Sequence, residues 1–400
     1  MDHIAIVGAS LAGLTAAETI REGGFEGVIT VVDGSAVLPS DRPPLSKQVL
    51  AGTMEPERAA SPVASRLDSL GLTLRLGVRA TALSVADRRL TLDDGSELVA
   101  DGLVIATGAS PRRLDTSLAG VHTLRDLGDS LAIRADLDAG SRRVVVIGAG
   151  FIGAEVAATC RGLGLDVTMI ETQPWPLQRV FPPEIGRFIA DLHSAEGVDV
   201  RLGVGVDHLE GVNRVERVVL TDGAAVEADV VVAGIGVTPS VGWLDGSGLD
   251  LGNGIVCDET CAAAPGVFAA GDVACWPNPA FGGELMRVEQ WENAIEQGEH
   301  VGRQLLASAA RVGLAPFSSI PWFWSDQYTC KIQLAGRASH TDEFRIVEGS
   351  MDERRFVAIF GRGDICTAVL GVNRPRHVVQ LRMRMAEGGL SVDDAIAHFA

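Results

Sequence analysis

Apolar positions along this chain follow two rhythms. Short unbroken runs such as Ile4-Ala5-Ile6-Val7, Leu103-Val104-Ile105, Val144-Val145-Val146-Ile147 and Val230-Val231-Val232 read as strands buried on both faces. Between them lie amphipathic helical stretches, and the alternation through residue 310 predicts an α/β fold with parallel sheets. Strand-like pieces at 72–78, 82–85, 89–93 and 97–99, punctuated by Asp93-Asp94-Gly95, predict a small antiparallel layer. A meander at 198–227, turning at Thr221-Asp222-Gly223, predicts a second one. A helix is expected at about 289–309. After Pro316 the pattern changes to short β segments at 330–335, 343–349, 355–361 and 366–372, followed by a final helical region, an α+β tail.

Two of the buried runs end in glycine-rich turns. Ile4–Val7 leads into Gly8-Ala9-Ser10-Leu11-Ala12-Gly13, then a helical stretch, then a strand closing on Asp33. Val144–Ile147 leads into Gly148-Ala149-Gly150-Phe151-Ile152-Gly153, then a helix, then a strand closing on Glu171. Small residues there let a pyrophosphate approach the backbone at a helix N-terminus, and the closing carboxylate is placed to bind ribose hydroxyls. The second unit, about 112–238, repeats the first from glycine turn to closing strand, which is firmer than either motif alone. Two such units imply two nucleotides and electron transfer between them.

Composition narrows the class. Four hundred residues with 46% apolar content suffice for two or three domains. The six cysteines, 160, 257, 261, 275, 330 and 366, contain no Cys-x-x-Cys pair and no His cluster beside them, so no metal site is expected. Apolar structure begins at residue 3 and no run reaches the ~18 residues that span a bilayer, so we expect neither signal peptide nor membrane span, and a cytoplasmic protein. A net charge of −18 argues against nucleic acid and anionic membrane as partners. Against that background, residues 373–384 carry four arginines and no acid, either a solvated helix face or a surface for an acidic protein. Lys47 and Lys331 are the only lysines among 34 basic residues.

With Ala106-Thr107-Gly108, Gly271-Asp272 and the paired glycine turns, the chain resembles the two-dinucleotide-binding-domain flavoprotein reductases. The loop Asp41-Arg42-Pro43-Pro44-Leu45-Ser46-Lys47 and the segment Pro321-Trp322-Phe323-Trp324-Ser325-Asp326-Gln327-Tyr328 narrow this. Together they resemble the FAD-dependent NADH:ferredoxin reductases of bacterial oxygenase systems, the putidaredoxin reductase family, over essentially the whole chain.

The resemblance implies two Rossmann-like, glutathione-reductase-like domains and a C-terminal α+β domain. FAD would bind 1–111 with 240–315, NADH would bind 112–239, and 316–400 would cover the flavin and help dock a [2Fe–2S] ferredoxin. Carried over by position, Gly8, Ser10, Leu11, Ala12 and Gly13 would face the FAD pyrophosphate, with Asp33 at the adenosine ribose. Val78 and Arg125 would lie on the adenine and phosphate side, and Asp272, next to Gly271, by the ribityl chain. Arg42, Lys47, Ala106, Thr107 and Gly108 complete the FAD set. Trp291 would sit by the isoalloxazine, where the N-terminus of the 289–309 helix could stabilise negative charge at N1 and O2. Ser10 departs from the family's second glycine. The NADH set would be Gly148, Gly150, Phe151, Ile152, Gly153, Glu155, Glu171 and Gly236.

Lys47 would stand beside flavin N5 and could pair with Glu155 facing the nicotinamide. Read without the resemblance, they are a loop cation and a first-turn helix acid. Glu171, followed by Thr172-Gln173 and no arginine, predicts NADH over NADPH, unless Arg179 folds back. Trp324 would line the gap between flavin and iron–sulfur cluster, with Trp322 beside it. Arg303, Lys331 and the arginines at 374–384 would attract the ferredoxin, which would serve a cytochrome P450 or a Rieske-type dioxygenase. A monomer or weak dimer is expected. A disulfide reductase is disfavoured because the chain lacks a redox-active cysteine pair, and a cysteine-dependent NADH oxidase or peroxidase because no cysteine precedes Cys160. Rubredoxin as acceptor, or a flavoprotein whose redox state controls association, are the alternatives.

Overall fold

The unbroken apolar runs become the inner strands of two parallel sheets, one in each of two compact units. The computed structural model describes residues 1–399. One unit comprises Met1–Asp41, Ala60–Ser110 and Thr238–Pro321. The other comprises Arg42–Ala59, Pro111–Val237 and the chain from Trp322 onward.

In the first unit the parallel strands lie in the order Val267–Ala269, Gly102–Ile105, His3–Val7, Val28–Asp33, Thr73–Leu76, with Ala262–Ala264 antiparallel at one edge. Ile4, Ile6, Val31 and Val104 are fully buried, as expected of strands covered on both faces. Taken in chain order, the arrangement is doubly wound, and the direction of winding reverses between His3–Val7 and Gly102–Ile105. Gly8 and Ala106 follow directly from those two strands, at the carboxyl-end crevice where such sheets take ligands.

The second unit repeats this with Asp199–Leu202, Asp166–Glu171, Arg143–Ile147, Val230–Ala233 and the short Val121–His122. Gly148 and Gly234 occupy the equivalent switch point.

Two sequence expectations need correction. Thr73–Leu76 belongs to the main sheet, paired parallel with Val28–Asp33, and only Ala80–Ser84, Arg89–Leu92 and Glu97–Val99 form the antiparallel layer. Likewise Asp199–Leu202 pairs parallel with Asp166–Glu171, and the meander begins at Val206. In both places a long crossover precedes the strand, which permits parallel pairing, whereas tight turns join the strands after it.

The tail forms a five-stranded antiparallel sheet in the order Trp322–Gln327, Cys330–Gly336, Ile365–Val372, Arg355–Arg362, Glu343–Ser350. The first of these strands was not expected from sequence. Helix Pro375–Ala386 buries Val378, Leu381 and Met385, spaced along one face. The sheet shares a core with helix Pro183–Ala195 and the residue just before its cap: Phe181, Phe188 and Ile189 join Phe356, Phe360 and Leu370, and the Phe188 and Phe356 rings meet edge to face at 5.3 Å. Among the described residues all six cysteines are buried and unbridged, and no helix is long and apolar enough to cross a membrane.

Candidate functional site

In the first unit, Gly8 turns the chain at φ +111°, where a Cβ would lie 2.3 Å from the Ala106 carbonyl oxygen. A Cβ on Gly13 would lie 1.9 Å from the Gly8 oxygen, so helix Leu11–Glu22 can approach the turn only with glycine there. Ser10 caps that helix without a side-chain bond, and its first turn holds no acid. The amides at the helix start are thus left for an anion, which fits a pyrophosphate. The Asp33 carboxylate accepts from Ala9 N at 2.6 Å and, through its other oxygen, from Ser35 N at 2.7 Å. Each oxygen keeps a lone pair for a sugar hydroxyl.

The rest of the expected FAD set in this unit is accounted for as follows. Val78 N donates to the Asp33 carbonyl, and Ala106 N to that of Val7. Thr107 Oγ1 donates to Ser240 O at 2.9 Å, and Gly108 turns at φ +67°. Gly271 N donates to Gln297 Oε1, and the buried Asp272 gives its carbonyl to Arg287. Trp291 opens helix Trp291–Ala309 and donates Nε1–H to Asp41 Oδ1 at 2.6 Å, which fixes the indole at the helix start. Arg42, Lys47 and Arg125, expected in the same set, lie in the other compact unit. Arg125 N donates to Asp129 Oδ2 just before helix Leu127–Asp138.

The second unit reproduces the same bonds. Gly148 turns at φ +99°, a Cβ on Gly153 would lie 2.1 Å from the Gly148 oxygen, and Gly150 caps helix Phe151–Gly162 with no acid in the first turn. The space beside Gly150 is open, with nothing within 4 Å of the position a Cβ would take. Glu171 accepts from Ala149 N at 2.8 Å, as Asp33 does from Ala9, and its other oxygen takes Gln173 N and Thr172 Oγ1. Arg179 is exposed and makes no ion pair with Glu171. Ile152 is exposed, Phe151 packs edge-on against Phe323 at 4.4 Å, and Gly236 gives its carbonyl to Arg112 N.

Glu155 is 4% exposed, yet it is fully engaged. Lys47 Nζ lies 3.0 Å from Oε1, Ser325 Oγ donates to Oε1 at 2.8 Å, and Ser46 Oγ donates to Oε2 at 2.5 Å. Lys47 and Ser46 come from a single wide turn, Leu45–Val49, tied down by Thr159 Oγ1 to the Ser46 carbonyl and Ser130 Oγ to the Leu45 carbonyl. Glu155 is the fifth residue of its helix, so the reading of it as a first-turn acid is set aside. A buried carboxylate persists only when paired and hydrogen-bonded, and this one is both. Behind it, Gln327, Ser325 and His193 are fully buried, and burial pushes the His193 imidazole down to about 4. Sequence reasoning assigned no role to Ser46, Ser325, Gln327 or His193. The adjacency of Ser46 to Lys47 and of Ser325 to Trp324 was the only available signal.

The Trp322 and Trp324 rings lie 5.3 Å apart, tilted by 34°, with the Arg382 guanidinium 5.9 Å above Trp322. Several expected docking cations are already paired: Arg374 with Glu348 at 2.9 Å, Lys331 with Asp326 at 3.7 Å and Arg303 with Glu299 at 3.3 Å. Arg384 donates to the Asp394 carbonyl, while Arg376 is exposed.

Comparison with known proteins agrees with this architecture. Residues 2–298 match the pyridine nucleotide-disulphide oxidoreductase family, and residues 322–398 match the reductase C-terminal family. The chain is 36% identical to a 5,5'-dehydrodivanillate O-demethylase ferredoxin reductase subunit from Sphingobium sp., over 96% of this chain and 93% of that one. Its structure resembles the ferredoxin reductase for the CYP199A2 system of Rhodopseudomonas palustris, with TM-score 0.91, 34% identity and coverage of 100% and 98%. It also resembles the reductase in a covalent putidaredoxin reductase–putidaredoxin complex, with TM-score 0.90, 34% identity and coverage of 96% and 93%. The repeated glycine turns, their acidic anchors and the tail sheet thus place the chain in the pyridine nucleotide-disulphide oxidoreductase family, among its ferredoxin reductases of oxygenase systems.

Proposed function

We propose that this chain is an FAD-containing, NADH-dependent ferredoxin reductase that passes electrons to a [2Fe–2S] ferredoxin serving a P450 or a Rieske-type oxygenase. The observation that carries it is the same construction made twice, Ala9 N on Asp33 and Ala149 N on Glu171, each at the switch point of its own parallel sheet. When bound, FAD accepts a hydride and releases electrons singly. The relatives named above are reductase components that hand electrons to ferredoxins, and two of them serve P450 or demethylase oxygenase systems by name.

In this reading Gly8, Ser10 through Gly13, Asp33, Ala106 to Gly108, Gly271, Asp272 and Trp291 hold FAD, with Arg42, Lys47, Val78 and Arg125 contributing. Residues 1–111 and 240–315 form its domain, 112–239 the NADH domain, and 316–400 the cover. Gly148 through Gly153 and Gly236 seat the NADH pyrophosphate, while Glu155 and Lys47 shape the nicotinamide pocket. Glu171 binds the 2′-hydroxyl and repels a 2′-phosphate. Trp324 lines the exit toward ferredoxin. Six buried, unbridged thiols support a cytoplasmic site of action, and the chain acts as a monomer or weak dimer.

The test mixes the purified yellow protein with NADH and candidate [2Fe–2S] ferredoxins and follows cluster reduction by absorbance. Reduction at catalytic reductase concentrations is expected, with kcat/KM for NADH well above that for NADPH. A colourless protein that takes up no FAD refutes the reading, and equal use of NADPH refutes the role of Glu171.

A further inference from the structure

Glu155 has more partners than an ion pair requires, and their bonding capacities leave one arrangement of hydrogens. An ionised carboxylate only accepts, so Ser325 gives its single hydroxyl hydrogen to Oε1. Ser325 Oγ can then only accept from its other neighbour, Gln327, which places Nε2 of the amide at 3.1 Å from it. The amide oxygen is left facing His193 Nε2 at 3.2 Å, so that nitrogen carries the hydrogen. His193 Nδ1, now bare, accepts from the hydroxyl of Tyr328 at 2.8 Å. Tyr328 to His193 to Gln327 to Ser325 to Glu155 is therefore a chain in which each link donates in the same direction. Such chains polarise their members, and here the polarisation ends on the carboxylate. Ser46 holds the opposite oxygen, so the two hydroxyls together stop the carboxylate from rotating off Lys47.

We propose that Ser325, Gln327 and His193 form a one-way hydrogen-bond relay that fixes the Glu155 carboxylate against Lys47, and that they are positioning residues for the step in which NADH reduces the flavin. This rests on the reading that Glu155 and Lys47 shape the nicotinamide pocket. The three residues come from helix Pro183–Ala195 and strand Trp322–Gln327, and no member need touch the coenzyme.

Rapid-mixing measurement of flavin bleaching by NADH in the holoprotein tests this. Ser325→Ala should slow the limiting rate about tenfold, the scale of losing one bond to a buried charge. Its half-saturating NADH concentration should stay within about twofold, because a positioning role does not hold the ground state. Ser325→Thr restores the hydroxyl and should recover most of the rate. In a Glu155→Gln background Ser325→Ala should add less than about twofold, because its effect passes through Glu155. Gln327→Leu, which removes both the donor to Ser325 and the acceptor of the His193 Nε2 hydrogen but leaves the Ser325–Glu155 bond in place, should give a smaller loss of about threefold and provides the test if Ser325→Ala fails to fold. A wild-type rate in Ser325→Ala, or an equal loss in both backgrounds, overturns the relay alone. Should Glu155→Gln itself leave the rate unchanged, the pocket reading and the relay fall together.

Discussion

At the scale of single residues, two glycines around one turn do different jobs, and substitution separates them. A methyl group on Gly153 would lie 2.1 Å from the Gly148 carbonyl, a backbone atom that cannot move without displacing the strand. Gly153→Ala should therefore lower stability by about 2 kcal/mol or more, in the range of overpacked core sites. Gly150 stands at φ −76° and ψ 178°, a conformation any residue adopts, with open space beside it. Gly150→Ala should fold with a loss of at most about 1 kcal/mol, the difference between glycine and alanine at a helix cap. If the coenzyme pyrophosphate approaches Gly150 as proposed, the methyl group stands in its way and the effect falls on the coenzyme. We expect KM for NADH to rise roughly tenfold with the yellow colour retained. Urea unfolding and steady-state kinetics on the two variants check this, and a large stability loss in Gly150→Ala with unchanged KM would refute the placement of the coenzyme. Ser10 is the natural control, since the first unit already carries a side chain at the matching position and still forms its turn.

At the scale of elements, local signals and tertiary ones part company. The buried runs, the two glycine turns and their closing acids were readable because strand, turn and helix start follow one another directly in the chain. The direction in which Thr73–Leu76 and Asp199–Leu202 pair was not, since strand pattern does not specify a partner. In the Glu155 cluster the Lys47 partner was expected from the resemblance, but the two hydroxyls were not, for the same reason: Ser46 and Ser325 meet that residue across 109 and 170 positions of chain. Helix Pro375–Ala386 shows the difference for surface charge. From sequence its arginines form one basic island, but Glu348 already pairs with Arg374 and His377, at 2.9 and 3.0 Å. Arg376 is exposed, on the same side as the exposed Val379 and Met383. If this helix meets an acidic ferredoxin, Arg376→Gln should raise KM for ferredoxin about two- to fivefold at low ionic strength, with the effect fading as salt is added. Arg374→Gln should change that KM by less than about twofold, because its charge is already neutralised within the molecule. Equal effects from both, or no salt dependence, would remove the helix from the docking surface.

At the scale of the whole molecule, pH acts through two opposing routes. Acidification from neutrality takes the net charge of −18 toward zero near the isoelectric point of about 4.9, which relieves self-repulsion and favours the folded state. Two buried imidazoles oppose this, one in each compact unit. Burial holds His193 down to about 4 and His300 down to about 4, from an ordinary value of 6.5. Both folded values are depressed, so between about pH 6.5 and 4 the unfolded chain binds protons that the folded one refuses, and stability falls as pH falls through that window. Each contributes on the order of 3 kcal/mol by pH 4, whereas surface repulsion at moderate salt is screened within about 10 Å. Asp229, held at about 2 chiefly by its bond to Arg143, adds a further loss only below about pH 4. The imidazoles should therefore win, and urea unfolding of the holoprotein should show stability level above pH 6.5 and declining below it, despite the approach to zero charge. His300 packs against Phe317, its ring 5.1 Å away and tilted by 44°, and lies outside the Glu155 cluster, so its replacement leaves that cluster intact. His300→Gln removes one titrating group while keeping a neutral polar side chain of similar reach. The variant should be less stable than wild type at pH 7.5, and the difference should shrink or reverse by pH 4.5. A gap that stays constant across the window would show that the acid response is carried by surface charge.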